Sequence, residues 1–279
     1  MVKAAGAAGA RTTRDEGTKR PMFTTRLPLA LLALALLYPG LSPAQTRVEA
    51  PPTLRAALPA QLSFPATFGV PSAVAPRAGT AFVGASFASP RAGIKGFGPD
   101  GDLVLGYNVG DPVDGVSLTF GLALTGLEPF GNAGALSLSA SRLLRAGGAS
   151  ATFAGVSLSN LAPWGEAADR PEMSVLYVSH LVGLSTPNAE LPLQISLGYG
   201  TDTTRAADGS GRLDDGVFFG LGLGLTPLLS GSVSATETQV NLGTTVSIPR
   251  TGASLSLGIL DAADATDHRQ VSLSIGLAF

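Results

Sequence analysis

The sequence predicts an all-β chain folded as one transmembrane, antiparallel, up-and-down β-barrel of about twelve strands. Three observations carry this expectation. Apolar and small polar residues alternate strictly over short stretches from Thr80 to the last residue. Only 14% of the 279 residues are charged, and 36 are glycine. The final stretch, "VSLSIGLAF", puts Val271, Leu273, Ile275, Leu277 and Phe279 on one side and Ser272, Ser274, Gly276 and Ala278 on the other. Side chains alternate faces in an extended strand, so the chain ends inside a sheet rather than in a loose tail.

From the amino end, Arg26 precedes the apolar run "LPLALLALALLY", followed by Pro39-Gly40 and "LSPAQ". This is the pattern of a secretory signal peptide over residues 1–44, with Ser42 and Ala44 at the cleavage site. The run is too short to span a bilayer comfortably. Met22, followed by "FTTR", reads as an alternative start. Residues 1–44 hold six of the eighteen basic and two of the twenty acidic residues, so twelve basic and eighteen acidic residues follow. Lys95 is the only lysine among them, which excludes the basic footprint of a nucleic-acid binder. The absence of cysteine excludes disulfides and thiolate metal sites.

Residues 45–78 carry six prolines and no sustained period. Proline removes a backbone donor, so this extension cannot be a long helix or a central strand. A short helical turn fits near Thr53 to Ala57. Beyond it, residues 79–279 form the expected barrel. "VSLTFGLAL", "LQISLGY", "VFFGLGLGL", "QVNLGTTVSI" and "ASLSLGI" alternate cleanly. Weaker versions occupy Thr80–Ala88, Leu103–Val109, Ala135–Ser141, Thr152–Ser159, Met173–Val182 and Ser232–Thr236. Strands of roughly seven to eleven residues match a tilted bilayer crossing.

The connections alternate in character. One set runs over 89–101, 126–133, 160–171, 201–215, 237–238 and 262–268, and holds most loop charges. The other runs over 110–114, 143–150, 183–191, 227–229 and 249–251 and includes the tight "TPLL" and "IPRTG" turns. Short turns on one side and longer loops on the other are what membrane barrels show. The second face of the strands is Gly, Ser, Ala and Thr rather than the Lys and Glu of a sandwich facing water, which suits a lumen. Tyr107, Phe120, Tyr177, Tyr199 and Phe219 are candidates for sparse aromatic girdles, and Trp164 falls in a loop.

The terminal "VSLSIGLAF" resembles the closing strand of bacterial outer-membrane β-barrel proteins. "LGYNVGDPVDGVSL" and "GLGLTPLLSGSV" look like pieces of uncharacterised families of such barrels. The resemblance covers the leader and residues 79–279. It implies an outer-membrane location and an apolar strand ending in Phe279 that the outer-membrane insertion machinery reads.

Reactive groups are few. His180 follows Ser179 in a strand, so the two point to opposite faces and cannot form a nucleophile–base pair. With Tyr177 and Leu181 facing lipid, His180 faces the lumen. Parity also directs Gln194, Ser196, Gly220, Gly222, Gly224 and Asn241 inward. Asp214-Asp215 in the longest outside loop and Asp267-His268 in the last one could together activate water, a pattern faintly like that of rim proteases. Acidic dipeptides are also ordinary turn chemistry. "DGSGRLDDG" lacks the ligand spacing of an EF-hand, and "GLGLG" lies in a strand with no following helix, so neither a metal nor a dinucleotide cofactor is implied.

Twelve strands enclose a bore that a small lining cannot close. Water or a piece of chain must occupy it, and residues 45–78, with Leu62, Phe64, Phe68 and Val70, are the available plug. The Gly220, Gly222 and Gly224 stripe would let that backbone approach the wall. The expected function is a narrow channel, or a structural and assembly barrel for envelope material, with small solutes or envelope polysaccharide as its contents and outer-membrane lipid around it. The alternatives are an outer-membrane rim hydrolase and a secreted soluble β-rich surface protein.

Overall fold

The computed structural model describes residues 65, 67–89, 100–125, 130–147, 150–187, 190–208, 210–248 and 251–279. The leader and the turn expected at 53–57 lie outside them. The first six strands are β1 (Ala81–Ser89), β2 (Asp100–Val109), β3 (Ser117–Thr125), β4 (Gly134–Gly147), β5 (Ser150–Trp164) and β6 (Met173–Ser185). The second six are β7 (Glu190–Arg205), β8 (Leu213–Gly224), β9 (Leu229–Thr236), β10 (Val240–Ile248), β11 (Ala253–Leu260) and β12 (Gln270–Ala278). Each pairs antiparallel with its neighbours in sequence, and β1 pairs with β12, so the sheet is a closed twelve-stranded up-and-down barrel.

Closure is made by the two ends of the strand region. Phe82 to Ser89 stand opposite Ala278 to Val271, and the backbones of Ala81 and Phe279 exchange two hydrogen bonds of 2.9 Å. No edge strand is left to template pairing with another chain. The alternation then sorts side chains into two surfaces. Leu105, Tyr107, Phe120, Leu197, Phe219, Leu242, Leu257 and Ile275 are exposed on the outside. Ser179, Gln194, Ser196, Ser234, Asn241 and Asn108 are buried on the inside. The polarity is inverted relative to a water-soluble β-protein, whose apolar face turns inward.

Five strands exceed the expected length: β4, β5, β6, β7 and β8 have 14, 15, 13, 16 and 12 residues. Their hairpins consume sequence that composition assigns to loops. The 201–215 connection shrinks to 206–212, so Asp214-Asp215 lies in β8 and not in a loop. Trp164 ends β5 rather than floating in a loop, and its indole donates to the Gly131 carbonyl at 3.1 Å. It is followed by a single 3-10 turn, Gly165–Asp169.

Bulges make these long ladders possible. The β4–β5 register slips between Gly134 and Leu136 and again between Leu136 and Leu138. The extra residues on β5 fall beside Asn160 and Ala162, both at positive φ. Asn tolerates that region because its side chain bonds locally. Here Asn160 Nδ2 donates to the carbonyls of Ala167, Arg170 and Pro171. Arg142 and Arg145 sit within β4, because the strand runs on through most of the 143–150 connection.

At the β10–β11 turn Gly252 has φ +69°, and a Cβ there would overlap the Ala278 carbonyl. Gly252→Ala is expected to lose about 1–2 kcal/mol from the left-handed conformation alone. The temperature at which the folded band converts to the unfolded band on a detergent gel should fall accordingly.

Candidate functional site

The inner surface is the candidate site. Its strands contribute mainly serine, threonine, alanine and glycine, as the inward rows Thr119–Ser139 and Gly220–Ser234 illustrate. Small side chains leave room, and residues 67–80 lie in that room before entering β1. Their backbone is satisfied by the wall. Ala73 N donates to Ser179 Oγ at 2.9 Å, and Ser234 Oγ donates to the Phe68 carbonyl at 2.6 Å. Gln194 Nε2 donates to Ser72 Oγ at 2.9 Å. Asn108 Nδ2 donates to the Pro76 carbonyl at 2.8 Å, while its Oδ1 accepts from Ser117 and Thr119. A buried amide that engages this many partners fixes the segment firmly, because every polar atom taken from water needs a replacement.

Apolar packing reinforces the polar contacts. Ala73 is fully buried against Phe153, Val175, Tyr177, Leu181 and Phe218, with Val70 and Val74 beside them. This cluster is the largest hydrophobic core among the described residues, and it lies inside the barrel. On the opposite wall Phe68 rests on bare backbone. A Cβ on Gly243 would come within 2.5 Å of Phe68 Cβ, and one on Gly258 would overlap the Phe68 ring. A Cβ on Gly220 would come within 2.5 Å of Val70 Cγ2.

Of the residues expected to face inward, Gln194, Ser196, Gly220, Gly222, Gly224 and Asn241 share the inner surface. Gly224 abuts Pro192 of the neighbouring strand rather than the inner segment. His180 is a correction. Tyr177 and Leu181 are buried in the inner cluster, so parity puts His180 outside, beside Val178 and opposite Ile195. The same reversal removes Tyr177 from the girdle: its hydroxyl bonds Ser157 and Ser139 inside. Tyr107, Phe120, Tyr199 and Phe219 do lie on the outer face. Gly258 and Asn108 were readable as inward residues from strand parity, but nothing local marked them as contacts of a segment far away in sequence. Val271, Leu273, Ile275, Leu277 and Phe279 all stand on the outer surface, with Phe279 74% exposed.

The rim residues proposed for hydrolysis are each engaged elsewhere. Asp214 pairs with Arg212 at 3.1 Å on the surface, and Asp215 accepts from the Asp202 N–H at 3.3 Å. His268 Nδ1 contacts the Thr266 carbonyl, and its Nε2 faces Gly211. Asp208 caps the Ser210 N–H at 2.9 Å, as a turn residue does. No group of three or more metal-ligating side chains assembles among the described residues.

Asp261 organises the last loop of this rim. Its carboxylate accepts from the N–H of Ala265 and from both the N–H and the hydroxyl of Thr266, at 2.7–2.9 Å. Burial pushes the carboxyl up, but these bonds, with one from the His268 N–H, outweigh it and hold the pKa below the ordinary value. Asp261 N in turn donates to Asn241 Oδ1, and Asn241 Nδ2 donates to Ser234 Oγ. A continuous hydrogen-bonded path therefore runs from the rim loop through Asn241 and Ser234 to Phe68.

No family model matches the chain, and no curated protein matches it. Among solved structures it is similar to the KdgM porin in complex with disordered oligogalacturonate, at 7% identity and TM-score 0.47, over 72% of this chain and 98% of that one. It is similar to the NanC porin at 10% identity and TM-score 0.47, over 71% and 98%. It is also similar to the outer-membrane protein Omp33 of Acinetobacter baumannii, at 10% identity and TM-score 0.45, over 72% and 98%.

Because the Asp261 carboxyl is held low, its contribution is complete above the unfolded value of about 3.9 and disappears as pH falls through the lower folded value. Protection from hydrogen exchange at residues 261–269, relative to the intrinsic rate at each pH, should stay high from neutral pH down to the ordinary carboxylate range and fall below it. In Asp261→Ala, protection should be low throughout and lack that acid step.

Proposed function

We propose that the chain is an outer-membrane β-barrel that forms a narrow channel for small polar solutes, with residues 67–80 occupying one side of its bore. The inverted surface carries this reading. A closed barrel that exposes Leu, Val, Ile and Phe all around its outside and keeps Ser, Thr, Gly, Asn and Gln inside is suited to hydrocarbon outside and water within. An exposed apolar belt on this scale would drive a free protein in water to aggregate, which weighs against a secreted soluble form. The end carrying Ala81, Phe279 and the 225–228 turn faces the periplasm in this reading, and the longer loops with Arg212 and Asp264 face out.

The size of the channel follows from what fills it. Eight strands leave an interior that side chains fill, and sixteen leave a wide aqueous pore. Twelve strands with a serine- and glycine-rich lining fall between, and the inner segment narrows the bore further. Hydroxyl groups such as Ser86, Thr119, Ser139 and Ser274 offer both donors and acceptors without net charge, so uncharged hydroxylated solutes suit the lining better than ions. Small solutes and pieces of envelope polysaccharide belong to that chemical class. A barrel sealed by its segment would serve as a structural element of the envelope instead, and conductance separates the two. Asp214, Asp215 and His268 each hold local partners, which weighs against the rim-hydrolase reading.

Two measurements test this. In planar bilayers the full chain should give small, weakly ion-selective single-channel steps, and deletion of residues 45–70 should raise the conductance severalfold. Unchanged conductance from an intact barrel would place the segment outside the permeation path. Deletion of Phe279 removes the last outward aromatic and both backbone bonds to Ala81. It should reduce assembled, heat-modifiable barrel in the outer membrane, whereas full assembly without it would sink the insertion-signal reading.

A further inference from the structure

We infer that the outer surface of β4–β6, at the end of the barrel that carries Ala81 and Phe279, binds the phosphate of a membrane phospholipid through Arg145 and His180. The argument begins with the third bulge. Along β4 the inward residues are Ser137, Ser139, Ser141 and Leu143, and simple alternation would send Arg145 inward as well, against Ala151 and Leu181. The register slips between Leu143 and Arg145, with Leu144 as the extra residue. Arg145 therefore stands opposite Thr152 on the outside, and Thr152 stands opposite His180. A bulge of this kind re-aims a side chain at a cost in ladder bonds. Here it gathers Arg145, Thr152 and His180 into one row across three strands.

This row is exceptional for its surface. Among the described strands, register puts other charged residues on the outer face only at Arg142, next to the same row, and at the opposite rim, where Asp215 lies. Arg142 has a partner of its own within the protein. Arg145 is exposed, as are its chain neighbour Leu144 and, on β6, Leu184. A cation on a lipid-facing barrel surface is costly near the midplane and nearly free at the interface.

Height decides which applies. Ala81, Tyr107, Phe120 and Leu138 form one row, which continues through Leu158 towards the opposite end. Three strand spacings of about 4.8 Å climb about 9 Å in a barrel tilted about 40°, and the four residues from Leu138 to Arg142 descend about 10 Å. Arg142 and His180 thus stand close to the level of Ala81 and Phe279, with Arg145 about 5 Å beyond them. That is the depth of lipid phosphates, at the edge of the apolar belt.

The chemistry fits one anion. Thr152 Oγ1 and His180 Nδ1 are 2.9 Å apart. With the hydroxyl donating, Nδ1 is the acceptor and the outward Nε2 carries the proton. The Arg145 guanidinium is a planar fork matched to two phosphate oxygens, and His180 Nε2–H supplies a third donor. The acyl chains would run past Val178, which is exposed on the same face two residues nearer the midplane than His180. The occupant is a phosphodiester lipid of the leaflet at this end.

The inference rests on the membrane reading above, and the experiment keeps the two apart. The full chain, folded in a phosphate-free maltoside detergent, is titrated with phosphatidylglycerol and followed by native mass spectrometry. Wild type should retain one lipid. Arg145→Gln with His180→Ala should reduce the bound fraction about tenfold at the same lipid concentration, and Arg145→Lys should restore part of it. Diacylglycerol with the same chains should not be retained. Equal retention by the double variant, or of diacylglycerol, would overturn the site. Heat-modifiable migration confirms that each variant is folded, and His180→Ala alone, expected to weaken retention, serves if the Arg145 changes prevent assembly. Failure of the wild type to insert into vesicles would overturn the membrane reading, whereas insertion without lipid retention would overturn only the phosphate site.

Discussion

Everything in this molecule depends on the backbone ladder between β1 and β12. Once Ala81 and Phe279 exchange their hydrogen bonds, the sheet has no edge, and each strand residue is committed to the inside or the outside. A one-residue slip would exchange the two faces wholesale, burying Leu273 and Ile275 and exposing Ser272 and Ser274. The contrast between the faces is therefore what holds the register. It also explains how so few charges suffice: polar backbone is satisfied within the ladder, and neither face needs ion pairs to be stable.

The cost of such a ring is its interior. Twelve strands with small inward residues cannot pack against themselves, and the chain solves this with its own amino-proximal segment. Serine, glutamine and asparagine on the wall receive that segment's polar backbone, while Phe153, Tyr177 and Phe218 receive its alanine and valines. Glycine is needed at Gly243 and Gly258 because an aromatic ring, Phe68, lies directly on the wall there. The path from Asp261 through Asn241 and Ser234 ties the same segment to a rim loop, so the lumen and that rim are parts of one hydrogen-bonded unit.

Bulges supply what strict alternation cannot. Asn160 and Ala162 let β5 extend along β4 with left-handed residues, and the slip at Leu144 turns Arg145 away from the inner apolar cluster. Each bulge sacrifices ladder bonds locally and changes which side chain meets which environment.

The sequence by itself determined the class of fold, the approximate number of strands, the small polar character of the lumen and the placement of Gln194, Ser196, Gly220 and Asn241, because each follows from a period of two within a single strand. It pointed His180 and Tyr177 to the wrong faces and put Arg145 in a connection. A strand such as β6 alternates apolar residues with other apolar residues, Val175, Tyr177 and Leu181 against Leu176, Val178 and Val182, so pattern alone does not say which set faces in. Only the tertiary structure chose, through the register with β5 and β7 and through Ala73, which arrives from about a hundred residues earlier to cover one of the two sets. Long strands and bulges were equally illegible, because their cost is met by partners across the ladder rather than by neighbours in sequence.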